Sequence, residues 1–174
     1  MSNARNLANF LGTGTTVPSS KLSLVAADMP TGSVLQLVQG TTQTQVSMTT
    51  TYADMGLSVN ITPKTSDSDI FILVNSQIYI ADLGFGTRLL RDSTVICIPA
   101  STDTNGPFEG YISSGGHLRT GFNFLDTGRS SGTSQITYKL QGRKYNASAS
   151  IAYNYNDATA NDAISLIQAI EIAV

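Results

Sequence analysis

Charge is scarce in this sequence. Asp, Glu, Lys and Arg supply 13% of 174 residues, about half the usual share of roughly 25%. The net charge is −2 and the lysines and arginines are scattered. With no basic stripe, the sequence gives no support for nucleic-acid binding. Tryptophan is absent, and cysteine and histidine occur once each, as Cys97 and His117. A single cysteine excludes an internal disulfide. In Thr94-Val95-Ile96-Cys97-Ile98 the thiol reads as a small buried hydrophobe rather than a nucleophile, which fits assembly in a reducing cytoplasm. One histidine and one cysteine do not supply the three or four ligands of a zinc site. No apolar run approaches the ~20 residues of a membrane-spanning helix, and the opening MSNARNLANF lacks the apolar core of a secretory signal. The expectation is a chain with no membrane partner, no metal and no cofactor.

Catalytic constellations are equally thin. A nucleophilic triad would have to be built on His117, and Ser114-Gly115-Gly116-His117-Leu118 reads as a turn carrying a structural histidine. The pairs Asp67/Asp69, Asp157/Asp162 and Asp103/Glu109 lack the glycine-punctuated spacing of a calcium loop and read as solvated carboxylates. Gly12-Thr13-Gly14 has no preceding strand and no third glycine, so it reads as linker. Asp54, Asp69, Asp82 and Glu109 are available to a glycosidase-type carboxylate pair, but no spacing defines one. No catalytic residue is assigned, and the chain is expected not to be an enzyme.

What the sequence does hold is strand pattern. From Gly32 to Ala81 three candidate strands alternate with Thr/Gln/Ser connectors. In the run Asp69 to Ala81, Ile70, Ile72, Val74, Ile78 and Ile80 fall on one face, and Phe71, Leu73 and Tyr79 on the other. A strand apolar on both faces needs covering twice. Phe71, Leu73 and Tyr79, with Ile167 of the C-terminal strand, are therefore candidate subunit-interface residues. Asp54-Met55-Gly56 reads as a turn, as do Gly84 and Gly86. Thr87 to Arg91 and Thr94 to Ile98 predict a hairpin across Asp92-Ser93, followed by strands at Glu109 to Ser113, Leu118 to Leu125, Ile136 to Gln141, Ser148 to Tyr155 and Ala163 to Val174. Roughly nine or ten short strands with almost no helix predict an all-β fold: an antiparallel β-sandwich, best matched by a jelly roll.

Residues 1–29 differ from the rest. Ala4, Leu7, Ala8 and Leu11 recur at helical spacing and Gly12 is placed to end the turn. So short a helix needs a surface to dock on. The reading is an N-terminal anchoring arm over 1–29, with Leu7, Phe10 and Leu11 as its partner-binding residues and Lys21 to Ala27 as an added strand, ahead of a β-sandwich domain over 30–174. Tyr145, Tyr153 and Tyr155, interleaved with Asn146, Asn154 and Asn156, form a candidate receptor or contact loop. Phe85, Phe108 and Tyr111 are aromatic candidates at another edge.

The succession Gly32-Ser33-Val34-Leu35-Gln36-Leu37-Val38, a Thr-rich connector, Thr51-Tyr52-Ala53-Asp54-Met55-Gly56-Leu57, Val59-Asn60-Ile61-Thr62-Pro63-Lys64 and Ile70-Phe71-Ile72-Leu73-Val74 resembles a β-rich module of virion proteins of tailed bacteriophages, particularly phages of cyanobacteria and other marine bacteria. The resemblance runs from about Pro30 to the C-terminal strand and carries no catalytic residues. It implies a virion structural protein assembled in the host cytoplasm. The expected role is a capsid decoration (cement) protein, a homotrimer bound to the major capsid protein. The alternative is a short tail fibre or receptor-binding protein, joined to tail components and contacting host polysaccharide.

Overall fold

A computed structural model describes residues 25–81, 83–97, 108–112, 115–129, 132–155 and 163–174. Their strands are β1 (Val34–Thr42), β2 (Val46–Ser47), β3 (Ala53–Ile61), β4 (Asp69–Ile80), β5 (Leu83–Arg91), β6 (Thr94–Cys97), β7 (Phe108–Ile112), β8 (Gly116–Asp126), β9 (Ile136–Lys144), β10 (Ile151–Tyr153) and β11 (Ser165–Ile172). Four long antiparallel pairs are nested, β5 with β7, β4 with β8, β3 with β9 and β1 with β11, and the short β2–β10 pair sits between the last two. The chain is thus one long two-stranded ribbon, folded back beyond β5 and rolled up. Its rungs alternate between layers, β1, β11, β4 and β8 in a six-stranded sheet and β3, β9, β5 and β7 in a five-stranded one. That is the jelly-roll form of an antiparallel sandwich.

Period-two patterning explains the layers. Ile70, Ile72, Val74, Ile78 and Ile80 of β4 are buried against Met55, Leu57, Val59 and Ile61 of β3 and Ile136, Tyr138 and Leu140 of β9. Each such side chain removed from water stabilises the fold by about 1.5–3 kcal/mol. Both strands apolar on two faces are central, β4 lying between β8 and β11, and β11 between β1 and β4.

Several local readings change. Asp54-Met55-Gly56 is not a turn but a bulge within β3: Gly56 has φ of 71° and the register with β9 shifts between Asp54 and Ser58. Four steps along β3 oppose two along β9, so two extra residues are accommodated, and a positive φ serves such a bulge as readily as a turn. Gly84 and Gly86 lie inside β5, and a Cβ on Gly84 would stand 2.6 Å from the Tyr145 ring. The expected hairpin across Asp92-Ser93 is present as β5–β6. Ala26–Asp28 forms a 3-10 turn where the sequence predicts the end of an added strand, and the rest of that strand, 21–24, lies outside the described residues. Residues 1–24, and with them Leu7, Phe10 and Leu11, lie outside the described residues.

Cys97 is half-buried at the end of β6, and burial pushes its thiol above the ordinary value. Because the thiolate is the reactive form, a disulfide reagent at pH 8 is expected to modify the native protein at least about tenfold more slowly than the urea-unfolded chain. Equal rates would show that Cys97 is not sheltered.

One end of the sandwich is closed by buried polar groups. Glu171, fully buried at the end of β11, receives four donors. Its Oε1 accepts from the backbone N–H of Lys64 at 2.7 Å, of Thr65 at 3.2 Å and from Ser68 Oγ at 2.6 Å, and its Oε2 from Gln36 Nε2 at 2.6 Å. Arg129 clamps the same loop, donating to Ser68 O at 2.6 Å and Thr65 O at 2.8 Å. Beside it Asp126 accepts from Arg91 Nη1 at 2.8 Å and from the Tyr138 hydroxyl at 2.6 Å. Burial, reinforced by the Asp126 carboxylate, holds that hydroxyl far above its ordinary range.

Candidate interaction face

The two sheets turn different outer faces to their surroundings. On the five-stranded sheet the outward positions are polar and cross-linked. Asp54 accepts from Gln141 Nε2 at 2.6 Å and Lys139 Nζ at 2.9 Å. Arg88 donates to Gln141 Oε1 at 2.8 and 2.6 Å, its guanidinium 4.3 Å from the centre of the Tyr52 ring. The hydrogen bonds from Gln141 and then Lys139 hold the Asp54 carboxyl below its ordinary value. This is the opposite of the raised value a glycosidase acid needs.

On the six-stranded sheet one row of outward positions is wholly apolar and the next two are uncharged. Strand register aligns Leu37, Ile170, Phe71 and Leu125 in one row across β1, β11, β4 and β8. Leu37 is 52% and Leu125 45% exposed. The next row is Gln39, Gln168, Leu73 and Asn123, with Gln168 Nε2 donating to Gln39 Oε1 at 2.8 Å, and the third is Thr41, Leu166, Asn75 and Gly121. These three rows hold no charged side chain. With strands ~4.8 Å apart and same-face residues ~6.7 Å apart, they span about 14 by 14 Å between Cα atoms. That is smaller than the roughly 800 Å² per partner that a stable interface covers.

At the far end of this face stands an aromatic group. Tyr79 stacks on Tyr155 with ring centres 4.4 Å apart, and His117, paired with Tyr79 across β4–β8, lies 5.2 Å from one ring and 5.7 Å from the other. Gln77, buried beneath them, orders the group. Its Oε1 accepts the Tyr155 backbone N–H at 3.0 Å, so its Nε2 donates to His117 Nδ1 at 2.7 Å. This hydrogen-bond network assigns the unprotonated nitrogen to Nδ1.

Phe71, Leu73, Tyr79 and Tyr155 come together on this face. Ile167 does not: it is fully buried on the inward side of β11, because its parity is that of Ala169 and Glu171 and not of Ile170. Tyr153 is also core, not contact loop. Tyr153 and Tyr155 would share a face on a regular strand, but Asn154 between them has φ of 47° and its Nδ2 donates to Thr42 O at 3.1 Å. Asparagine tolerates that left-handed conformation, and the twist sends Tyr153 inward and Tyr155 outward. Tyr145 stands apart beside Arg143, whose guanidinium is 5.4 Å from its ring centre. Phe85 is fully buried in the core.

Leu37, Ile170 and Leu125 lie in segments expected to be strands, but only the register makes them neighbours. His117, read as a turn residue, lies within β8. Among the described residues no three His, Cys, Asp or Glu side chains converge to hold a metal ion. Compared with known proteins, the chain matches no family model and no curated sequence.

Proposed function

We propose that this is a structural protein of a tailed-phage virion, a non-enzymatic capsid decoration protein that self-associates as a trimer and docks on the major capsid protein. The observation that carries the reading is the asymmetry of the sandwich. One outer face is polar and internally hydrogen-bonded; the other presents an uncharged apolar row with Leu37 and Leu125 exposed. Such a face is stabilised by being covered, at about 25 cal/mol per Å² of apolar area removed from water. Covering it across capsomer boundaries favours the closed shell over its parts. The strand-and-turn resemblance to phage virion modules supplies the setting.

A second reading, a tail-borne receptor-binding protein, draws on the Tyr79, Tyr155 and His117 group at the end of the same face. Copy number separates the two. Quantitative mass spectrometry of purified virions is expected to give on the order of hundreds of copies, as icosahedral symmetry demands of a decoration protein. A few tens or fewer would move the protein to the tail, and absence from the particle would end both readings.

A further inference from the structure

A cleft of about 360 Å³ opens beside the aromatic group, lined by Ser47 of β2, Lys144 at the end of β9, Ser148 and Ser150 of the following segment, and the rings of Tyr79 and Tyr155. Its volume falls toward the lower end of the roughly 300–1,000 Å³ typical of small-molecule sites. We propose that this cleft binds an uncharged oligosaccharide, taking a chain end or a branch.

The lining selects the ligand class. No carboxylate is among the described residues that line the cleft, so none of them offers a cation a charged partner. Lys144, the one cationic group among the described lining residues, donates from Nζ to Ala147 O at 2.8 Å and Ala149 O at 2.6 Å, tying down the segment that forms one wall. That leaves one N–H donor on a single ammonium, so an anion meets no second cationic partner among the described lining residues. A purely apolar ligand fits no better, because Met48, Ile151 and Ala152 are buried and the exposed lining is largely polar, with Gln45, Ser47, Ser148 and Ser150 exposed. A ligand that satisfies both the serines and the rings needs hydroxyl groups around its edge and an apolar C–H face. A neutral pyranose has both.

The site is also built in advance. Tyr155 is held by its stack on Tyr79 and by its N–H to Gln77, and Gln77 is held in turn by His117. Ser148 is fixed by the hydrogen bonds of its backbone N–H, at 3.0 Å, and its Oγ, at 2.9 Å, to Asn146 Oδ1. Rigid aromatic platforms bind with little loss of side-chain freedom. The inference deepens the second reading above, yet copy number and sugar binding are measured separately, so either can fail alone.

The test is saturation-transfer NMR on the full chain with maltohexaose, cellohexaose, chitohexaose and mannohexaose, beside a hexasaccharide of alginate as the charged comparison. At least one neutral probe is expected to bind, in preference to the alginate. Tyr155→Ala and, independently, Ser150→Phe, which fills the mouth from an exposed position, are expected to weaken binding about tenfold or more. Asn60→Ala on the opposite face is expected to leave it unchanged. Binding to none of the four neutral probes, stronger binding of alginate, or full binding by the folded Ser150→Phe variant would overturn the proposal.

Discussion

Replacing Glu171 by alanine is expected to lower the unfolding free energy by about 3 kcal/mol, read as a shift of the urea midpoint at unchanged slope. The side chain is fully buried and is the shared acceptor for two backbone N–H groups, a serine hydroxyl and a glutamine amide. Its removal strands those donors at the loop between β3 and β4. Each buried donor left without a partner costs about 1–3 kcal/mol, partly recovered where the loop can open to water. Glu171→Gln is expected to lose less, because an amide oxygen can still accept from Lys64, Thr65 and Ser68, while its NH2 meets the Gln36 amide donor to donor. The Arg129 clamp shares Ser68 and Thr65 with Glu171. The effects of Glu171→Ala and Arg129→Met should therefore fall short of additive in the double variant, as expected for members of one network. A midpoint unmoved by Glu171→Ala would mean that the loop is held by something else.

The double substitution Leu37→Lys with Leu125→Lys is expected to leave the protein folded and to reduce its occupancy on purified particles by about a hundredfold or more. Both side chains are about half exposed at the two ends of one apolar row, so their exchange removes little from the core. An ammonium group trapped in a covered, uncharged interface costs several kcal/mol, and a hundredfold loss needs only about 2.7 kcal/mol. Asn60→Lys with Thr137→Lys, on the outer face of the five-stranded sheet, adds the same charge elsewhere. That variant is expected to assemble normally. Wild-type incorporation of the Leu37/Leu125 variant would sink the docking face, and sedimentation of the free protein would show whether self-association is lost with it.

The sequence by itself determined the class of fold. Alternation at period two is a local property, and burial of Ile70, Ile72, Val74, Ile78 and Ile80 with Phe71 and Leu73 on the other side follows from the pleat alone. The same holds for β9, where Ile136, Tyr138 and Leu140 are buried and Thr137, Lys139 and Gln141 are not. Low charge and a strand apolar on both sides also pointed to a face that needs covering. What a strand's pattern does not carry is its partner or its register, which are set by contacts between residues far apart in the chain. Only the rolled ribbon brings Leu37 and Leu125 into line with Ile170 and Phe71, and only the β4–β8 pairing sets His117 against Tyr79. Local conformation also overrode local pattern at two places. Gly56 supplies a bulge where a turn fitted equally well, and Asn154, left-handed and anchored to Thr42, separates Tyr153 from Tyr155 by a reversal that alternation does not anticipate. In each case the deciding interaction is a long-range hydrogen bond or strand pairing, and no stretch of sequence read alone contains its second partner.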